Sequence, residues 1–185
     1  MYGPVIEGKL FRLRPPTPED APAIIKWFED VEVTHFLDNT LPPSLEAERE
    51  WLDKTGRDPN FIYWIIEHDG RAVGGTGIMQ IDWKHGHGLT GTIIGDKAVW
   101  GKGIAREMMQ LRAHYAFTQT PLRKLKSRYV DGNVASARAQ KAAGYKEVGR
   151  LREEVFRDGK WKDMILTELL RSDWEQAVRI INDLP

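Results

Sequence analysis

The chain has 185 residues, of which 41% are hydrophobic and 29% charged, and this composition is typical of one soluble globular domain. Its 27 basic and 27 acidic residues cancel, so the sequence lacks the positive field that attracts nucleic acid or anionic membranes, and we expect neither as a partner. Because the chain contains no cysteine, disulfides, thiolate metal ligands and a cysteine nucleophile are excluded, which fits a cytoplasmic protein.

The first half of the chain predicts two helices and four strands. It opens without the apolar stretch of a signal peptide, and no apolar run approaches the roughly 20 residues of a membrane span. Thr17 caps a helix that continues to about Asp30, and Ser44 caps a second helix. The Asp-Gly dipeptide at 69–70 is typical of a hairpin turn between two strands. The predicted strands of this half are residues 9–16, 61–67, 72–82 and 89–95.

The second half alternates helices and strands and closes with a hairpin and a helix. Apolar residues recur at helical spacing over 104–118, and a second helix runs from its cap at Asn133 to Gly144. Ser172 and Glu175 form a capping box for the final helix. The order of elements predicts a mixed α/β fold, with residues 1–185 as a single domain. The predicted strands of this half are residues 125–130, 145–159 and 161–170.

Two glycines and a lysine occupy residues 100–105, WGKGIA, between a predicted strand and a predicted helix. The first amides of a helix have no partner within it, so this loop favours phosphate binding, and the alternative is an ordinary turn. A P-loop is disfavoured because five residues rather than four separate Gly95 from Gly101, and Gly103 stands where magnesium would need a hydroxyl. A dinucleotide fingerprint is disfavoured because Arg106 stands at its third glycine position.

The same segment resembles the acetyl-CoA signature of the GNAT superfamily of N-acetyltransferases, Gln/Arg-x-x-Gly-x-Gly/Ala. Trp100, Gly103 and Ala105 take its anchor positions, and Trp100 departs from the usual Gln or Arg. The sequence WGKG is typical of the branch that includes the ribosomal-protein alanine N-acetyltransferases. The motifs Asn-x-x-Ser at 133–136 and Lys-x-x-Gly-Tyr at 141–145 resemble that branch's second signature, and the opening and closing segments also match. The resemblance therefore covers nearly the whole chain.

This resemblance implies a single-domain GNAT-like fold, in which a mixed central sheet with flanking helices splays into a V that holds acetyl-CoA. The strand before the loop should contact the pantetheine arm through its backbone, and the loop amides should bind the pyrophosphate. Lys102 and Asn133 also have ordinary alternatives, a solvated turn lysine and a helix cap. The cosubstrate-binding residues that the resemblance implies are Ile93, Ile94, Gly95, Trp100, Gly101, Lys102, Gly103, Ile104, Ala105, Asn133 and Ser136.

The implied reaction moves acetyl from acetyl-CoA to a primary amine, and without a cysteine the simplest route is direct attack in a ternary complex. A backbone N–H near Ile94 or Gly95 should stabilise the oxyanion. In the branch that this chain resembles, a serine at position 136 lies near the CoA sulfur, and many relatives instead use a tyrosine acid where this chain has Gln140, which cannot act as an acid. The resemblance therefore makes Ser136 the candidate acid for the departing thiolate; its alternative role is a helix-start hydroxyl. The alternative function is a catalytically weak CoA-binding sensor or interaction module on the same fold.

The sequence indicates no strong general base. Relatives commonly carry a glutamate in the strand before the loop, and this chain has Thr90 there. His85 and His87 fall on the opposite face of an unbroken strand, and without a third ligand they do not indicate a metal site. The acceptor should then supply its neutral amine through its own titration. At pH 7 the neutral fraction of an α-amine is roughly a hundredfold larger than that of a lysine-like amine, so an α-amine is favoured as the acceptor.

The expected partners are acetyl-CoA and an amine, carried by a small molecule or a protein N-terminus. No metal cofactor is expected. Seven tryptophans in 185 residues exceed what one small core usually needs. Since relatives often dimerise through their terminal strands or helices, we also expect a homodimer.

Overall fold

One mixed sheet of eight strands organises the computed structural model, which describes residues 1–182. In chain order the strands are β1 (Ile6–Glu7), β2 (Arg12–Arg14), β3 (Ile62–His68), β4 (Arg71–Asp82), β5 (His87–Ile94), β6 (Lys124–Val130), β7 (Lys146–Arg157) and β8 (Lys160–Leu170). Their spatial order is β1–β2–β3–β4–β5–β6–β8–β7. Strands β5 and β6 are parallel, and the other neighbouring pairs are antiparallel. This sheet confirms the predicted α/β class.

Six helices accompany the sheet within residues 1–182: α1 (Ala21–Glu29), α2 (Val31–Thr34), α3 (Leu45–Arg57), α4 (Ile104–Gln119), α5 (Val134–Ala142) and α6 (Arg171–Asn182). The caps predicted for α3 and α5 are confirmed. Ser44 Oγ accepts a hydrogen bond from Ala47 N at 3.2 Å, and Asn133 Oδ1 accepts one from Ser136 N at 3.0 Å. None of the helices in this part of the chain combines the length and apolar character needed to cross a membrane.

Two helix starts differ from the sequence prediction. The short helix α2 was not predicted; the carboxylate of Asp30 caps it by accepting a hydrogen bond from Glu32 N at 2.9 Å. The capping box at Ser172 is wrong, because α6 begins at Arg171 and Ser172 lies inside its first turn. Strand β8 ends at Leu170, so α6 follows it directly, and the Arg171 N–H donates to the Arg123 carbonyl at 2.9 Å.

The sheet divides between β5 and β6. These strands pair only through residues 87–89 of β5 and 124–126 of β6. Beyond Leu89, β5 stays paired with β4 while β6 stays paired with β8, so the two halves of the sheet diverge. Thr90 lies where they part, and its hydroxyl donates a hydrogen bond to the Lys126 carbonyl at 2.9 Å. This geometry confirms the predicted V-shaped splay.

Apolar clusters on both faces of the sheet hold the helices in place. The larger cluster packs α4 against the sheet and includes Trp64 and Met108, both 0% exposed. The smaller packs α1 and α3 and includes Trp27 and Ile65. Because Trp64 and Ile65 are neighbours on β3 and belong to different clusters, the clusters lie on opposite faces. Full burial of one such side chain contributes about 1.5–3 kcal/mol, which fixes the frame around the V.

Arg112 of α4 is a buried cation that joins this helix to the strands beside the V. It is 1% exposed. Its guanidinium donates to the hydroxyls of Thr76 and Thr92, at 2.6 and 3.0 Å, and to the Gly91 carbonyl at 3.0 Å. These hydrogen bonds set the position of β5 relative to α4.

An ion pair at the start of α1 makes the fold sensitive to acid. Arg14 donates two hydrogen bonds to the buried carboxylate of Asp20, at 2.7 and 2.8 Å, and Thr17 N donates a third at 2.7 Å. Burial opposes ionisation of Asp20, but the hydrogen bonds with Arg14 and Thr17 outweigh it and lower the pKa of Asp20. A carboxyl whose pKa is lowered by folding stabilises the protein above its unfolded pKa, and that contribution is lost as pH falls through the folded pKa.

We therefore expect Asp20→Asn to lower the free energy of unfolding by about 1–3 kcal/mol at pH 7, because Arg14 keeps its burial and loses a charged partner. Urea denaturation of wild type and variant should converge below the pKa of Asp20, where the wild-type carboxyl is protonated. Asp53→Asn is the control, since Asp53 pairs with Arg57 on an exposed helix face and should matter little. Equal losses in the two variants would contradict the assignment.

Candidate active site

A cavity of 1310 Å³ opens between the diverging strands β5 and β6. Its walls are the end of β5, the loop and first turn of α4, the end of β6, the start of α5 and a segment around α2, residues 31–38. Asp158, at the tip of the β7–β8 hairpin, also reaches the cavity. Pockets for drug-sized ligands span about 300–1,000 Å³, so this cavity has room for a long ligand and a second reactant.

Most of the predicted cosubstrate-binding residues line this cavity, but Gly95 and Lys102 do not. A Cβ at Gly95 would lie 2.0 Å from Trp27 Cγ, so this position faces α1. Lys102 is exposed, and its N–H donates to the Val99 carbonyl at 3.4 Å. The predicted residues that the structure brings together on the wall are Ile93, Ile94, Trp100, Gly101, Gly103, Ile104, Ala105, Asn133 and Ser136.

The loop before α4 presents free backbone amides to the cavity. Gly101 and Gly103 have left-handed φ angles of +76° and +86°, which turn the chain tightly into the helix. Among the residues described, the N–H groups of Gly101, Gly103, Ile104 and Ala105 find no acceptor. A Cβ at Gly101 would meet no atom within 4 Å, and one at Gly103 only Leu10 at 3.9 Å. The space in front of the amides is open, and it fits an anionic group such as a pyrophosphate.

Two arginines of the cavity wall add positive charge. Arg106, in the first turn of α4, and Arg138 on α5 both line the cavity. Sequence reasoning missed both as binding residues. Arg106 directly follows the glycine motif and Arg138 lies two positions beyond Ser136, so adjacency to the two motifs was the available signal.

At the end of β5, the N–H of Ile94 is free and the N–H of Gly95 is not. The Gly95 N–H donates to the Val73 carbonyl of β4 at 2.8 Å, so it is not free to bind a ligand. Hydrogen bonds of an antiparallel pair alternate along the strand, so the adjacent Ile94 directs its N–H and C=O away from β4, into the V. Trp100 Nε1 donates to that carbonyl at 2.9 Å, which fixes the loop to the strand end and leaves the Ile94 N–H available.

Ser136 lies in a chain of three side chains at the start of α5. The Gln140 amide nitrogen donates to Ser136 Oγ at 3.0 Å, and Gln140 Oε1 accepts a hydrogen bond from Thr167 Oγ1 at 2.5 Å. Gln140 is 3% exposed and Thr167 4%, so the orientation of the amide is fixed. Because Ser136 Oγ accepts from Gln140, its own hydrogen can be donated to a ligand in the cavity.

Thr90 and the two histidines near β5 do not supply a base to the cavity. The Thr90 side chain is buried and donates to Lys126. His85 and His87 lie just before and at the start of β5, and neither lines the cavity. The register shift between β4 and β5 falls at Met79 and Asp82 on β4, so β5 itself alternates as predicted. No group of three or more metal-ligating side chains is found in the described part of the chain.

Sequence reasoning also missed His35 and Asp158, which both line the cavity. His35 Nε2 lies 3.5 Å from Asp158 Oδ2. Arg157 joins the two segments, because its guanidinium donates to the carbonyls of His35, at 3.0 Å, and Leu37. His35 and Arg157 are 122 positions apart in the sequence, so no spacing pattern indicated the contact. The Asp-Gly pair at 158–159 indicated only a turn.

Two carboxylates of the wall are paired with cations. Glu32 lies 3.0 Å from Lys97 Nζ, and the hydrogen bonds of Lys97 with Asp30 and Glu32 raise the pKa of Lys97. Asp38 lies 2.6 Å from an Arg128 nitrogen. The wall around α2 therefore has little unbalanced charge.

A sheet that opens into a V, with free helix-terminal amides at its edge, is the architecture implied for an acyltransferase that uses a CoA thioester. Residues 11–146 match the family model described as "Acetyltransferase (GNAT) domain", and the chain belongs to this family. It is 30% identical over 131 residues to "Probable N-acetyltransferase YjcK" of Bacillus subtilis (strain 168), covering 69% of this chain and 71% of that one.

Solved structures share the fold. The spermidine N-acetyltransferase from Vibrio cholerae, in complex with CoA and spermine, superimposes with a TM-score of 0.83 at 21% identity, over 91% of this chain and 99% of that one. RimL, a ribosomal alpha-N-protein acetyltransferase in complex with coenzyme A, superimposes with a TM-score of 0.81 at 15% identity, over 90% and 98%. The comparisons confirm the family, and the chain is an N-acetyltransferase that uses acetyl-CoA.

Proposed function

We propose that this chain transfers acetyl from acetyl-CoA to a primary amine by direct attack in a ternary complex, in the cytoplasm. The observation that carries the proposal is the set of free amides around the V, at residues 101–105 and at Ile94. The first set suits the pyrophosphate, with Arg106 and Arg138 adding charge, and the Ile94 N–H suits the oxyanion that forms during attack. With no cysteine in the chain, an acyl-enzyme on a thiol is excluded.

Two residues of α5 complete the proposed arrangement. Asn133 caps the helix through Oδ1, and its amide nitrogen remains for the pantetheine arm. Ser136 donates its hydrogen to the departing thiolate, so that the C–S bond breaks without leaving a bare thiolate in the cavity. The protein otherwise acts by holding the amine and the thioester in contact.

The acceptor that we propose is a single amine beside an apolar group, such as a peptide N-terminus. A polyamine needs several free carboxylates, and the three carboxylates of the wall, Glu32, Asp38 and Asp158, are all paired with cations. Among the structural neighbours, one is a spermidine N-acetyltransferase and another is a ribosomal alpha-N-protein acetyltransferase. The wall of this chain favours an acceptor of the second kind. The apolar residues of the wall are Val31, Val33, Phe36, Leu37, Met79, Leu89 and Met164.

Calorimetry with acetyl-CoA and a thiol-release assay over an amine panel test the proposal. The panel contains an alanyl peptide amide, an amino-acid amide, spermidine and an aminoglycoside. We expect acetyl-CoA to bind and the alanyl peptide amide to give the highest kcat/KM. Binding without turnover for every amine would instead support the CoA-binding module, which the threonine at position 90 favours because it replaces the usual carboxylate base.

We also propose a homodimer, formed through the β7–β8 hairpin. Strand β7 forms an unpaired edge of the sheet and is exposed along most of its length. The hairpin exposes Val148, Leu151, Phe156 and Trp161 by 40–61%. Light scattering should give twice the chain mass of 21.2 kDa, and Phe156→Glu with Trp161→Glu should give the single mass. A monomeric wild type at high concentration would contradict this.

A further inference from the structure

The proposed reaction needs a group that removes a proton from the acceptor. A primary amine is mostly protonated at neutral pH and cannot attack the thioester until it loses that proton. The position at which relatives carry a glutamate holds Thr90, whose buried hydroxyl already donates to Lys126. The cavity itself must supply another proton acceptor.

The titratable side chains of the cavity wall leave one candidate. Arginines are always protonated in proteins and accept no proton. Burial, with a hydrogen bond to Glu147, raises the pKa of Tyr129 to about 12, so its phenol stays protonated. The carboxylates of Glu32, Asp38 and Asp158 each pair with a lysine or an arginine. The titratable groups on the wall are Glu32, His35, Asp38, Arg106, Arg128, Tyr129, Arg138 and Asp158.

The geometry points to His35, oriented by Asp158, as the group that takes the proton from the acceptor amine. This inference rests on the proposed function. His35 Nε2 lies 3.5 Å from Asp158 Oδ2, an ion-pair distance. The carboxylate favours the tautomer that carries its proton on Nε2, and in that tautomer Nδ1 has a free lone pair. Nδ1 has no hydrogen-bond partner among the side chains and backbone groups that the structure describes. The carboxylate also stabilises the imidazolium that forms when Nδ1 takes the proton.

The fold holds both members of this pair in place. Asp158 lies at the tip of the hairpin with a φ of +54°, followed by Gly159 at +72°, and this tight turn fixes the backbone of the carboxylate. Arg157 binds the backbone carbonyls on both sides of Phe36, which ties the histidine segment to the hairpin. His35 therefore needs no large movement to keep its partner.

Every proton and bond in the step is accounted for. The ammonium gives one proton to His35, and the neutral amine forms the C–N bond as the thioester carbonyl becomes an oxyanion near the Ile94 N–H. The C–S bond then breaks as Ser136 gives its hydroxyl proton to the departing sulfur, and Ser136 Oγ takes the second proton from the nitrogen, so the serine is regenerated. One proton leaves to solvent from His35, so the products are an N-acetyl amide, a thiol and one proton.

Several charged groups surround the pair of His35 and Asp158. Asp158 also lies 3.3 Å from Lys162 Nζ, so the histidine shares its partner with one cation. The other charged groups on the surrounding elements, α2, the segment of His35, β6 and the hairpin, are Glu32 with Lys97, Asp38 with Arg128, and Arg157.

The test compares His35→Ala with His87→Ala, a histidine outside the cavity, in thiol release from acetyl-CoA with the alanyl peptide amide. General base catalysis contributes about 10²–10⁴-fold, so His35→Ala should lower kcat/KM at pH 7 about a hundredfold or more, and His87→Ala should stay within about twofold. Asp158→Asn should lower kcat/KM by a smaller factor than His35→Ala does. Imidazole in the buffer should restore part of the His35→Ala activity.

The pH profile separates catalysis from a structural effect. In the wild type the inflection of kcat/KM should stay at one pH for amines of different pKa, and in His35→Ala it should follow each amine's own pKa. Calorimetry should show unchanged acetyl-CoA binding in His35→Ala. A wild-type inflection that follows the acceptor would overturn the inference, even if the variant does not fold, and would restore the expectation from sequence alone. No turnover of any amine by the wild type would instead contradict the proposed function and the inference with it.

Discussion

Gly103→Val should weaken acetyl-CoA binding at least about a hundredfold while leaving the protein folded. Gly103 opens α4 with a φ of +86°, and its N–H is one of the free amides of the loop. A side chain there projects into space that only Leu10 borders, at 3.9 Å, so it blocks the anion rather than the fold. Each hydrogen bond to a charged group is worth about 1.5–3 kcal/mol, and losing two of them gives the expected factor.

Gly70→Val is the matched control. Gly70 has a φ of +72° in the β3–β4 turn, no atom lies within 4 Å of its added Cβ, and it does not line the cavity. Both variants therefore carry similar backbone strain, about 1–2 kcal/mol, and should lose similar thermal stability. Calorimetry should show normal acetyl-CoA binding for Gly70→Val only. If Gly103→Val binds as tightly as wild type, the amides of this loop are not the phosphate site.

Signals that lie within one short segment were predictable from the sequence. The caps at Ser44 and Asn133 are set by neighbouring residues, and the structure has both. The glycine loop combines a strand end, two left-handed glycines and a helix start within 100–105. The V between β5 and β6 followed from the family resemblance that this loop carries, because strand pairing on its own leaves no local signal.

Contacts between distant segments were not predictable. His35 meets Asp158 because a helix turn and a hairpin tip pack together across the V. Thr167 fixes the Gln140 amide from β8, 27 positions away. The Gly95 N–H was one of two expected oxyanion donors, and only the pairing of β4 with β5 shows that Val73 already accepts it. Each of these depends on register and packing, which composition and periodicity do not specify.

Ser136→Ala should lower kcat about a hundredfold and leave the KM for acetyl-CoA unchanged, because the hydroxyl donates its hydrogen only as the thiolate departs. The helix should remain intact, since the cap joins the backbone N–H of Ser136 to Asn133 and alanine favours a helix. Steady-state kinetics at saturating amine, with thermal unfolding as the folding check, measures the effect.

Gln140→Leu completes this test, because it keeps the serine hydroxyl and removes the amide that orients it. Gln140 donates to Ser136 Oγ at 3.0 Å and is itself held by Thr167, so its loss frees the hydroxyl to rotate away from the thiolate. Its kcat should fall between those of the wild type and Ser136→Ala, and the double variant should be no slower than Ser136→Ala alone, since both changes act on one proton. A kcat for Ser136→Ala within about threefold of wild type, or a rise in KM that accounts for the whole loss, would assign Ser136 to binding or to the helix start instead of to proton transfer.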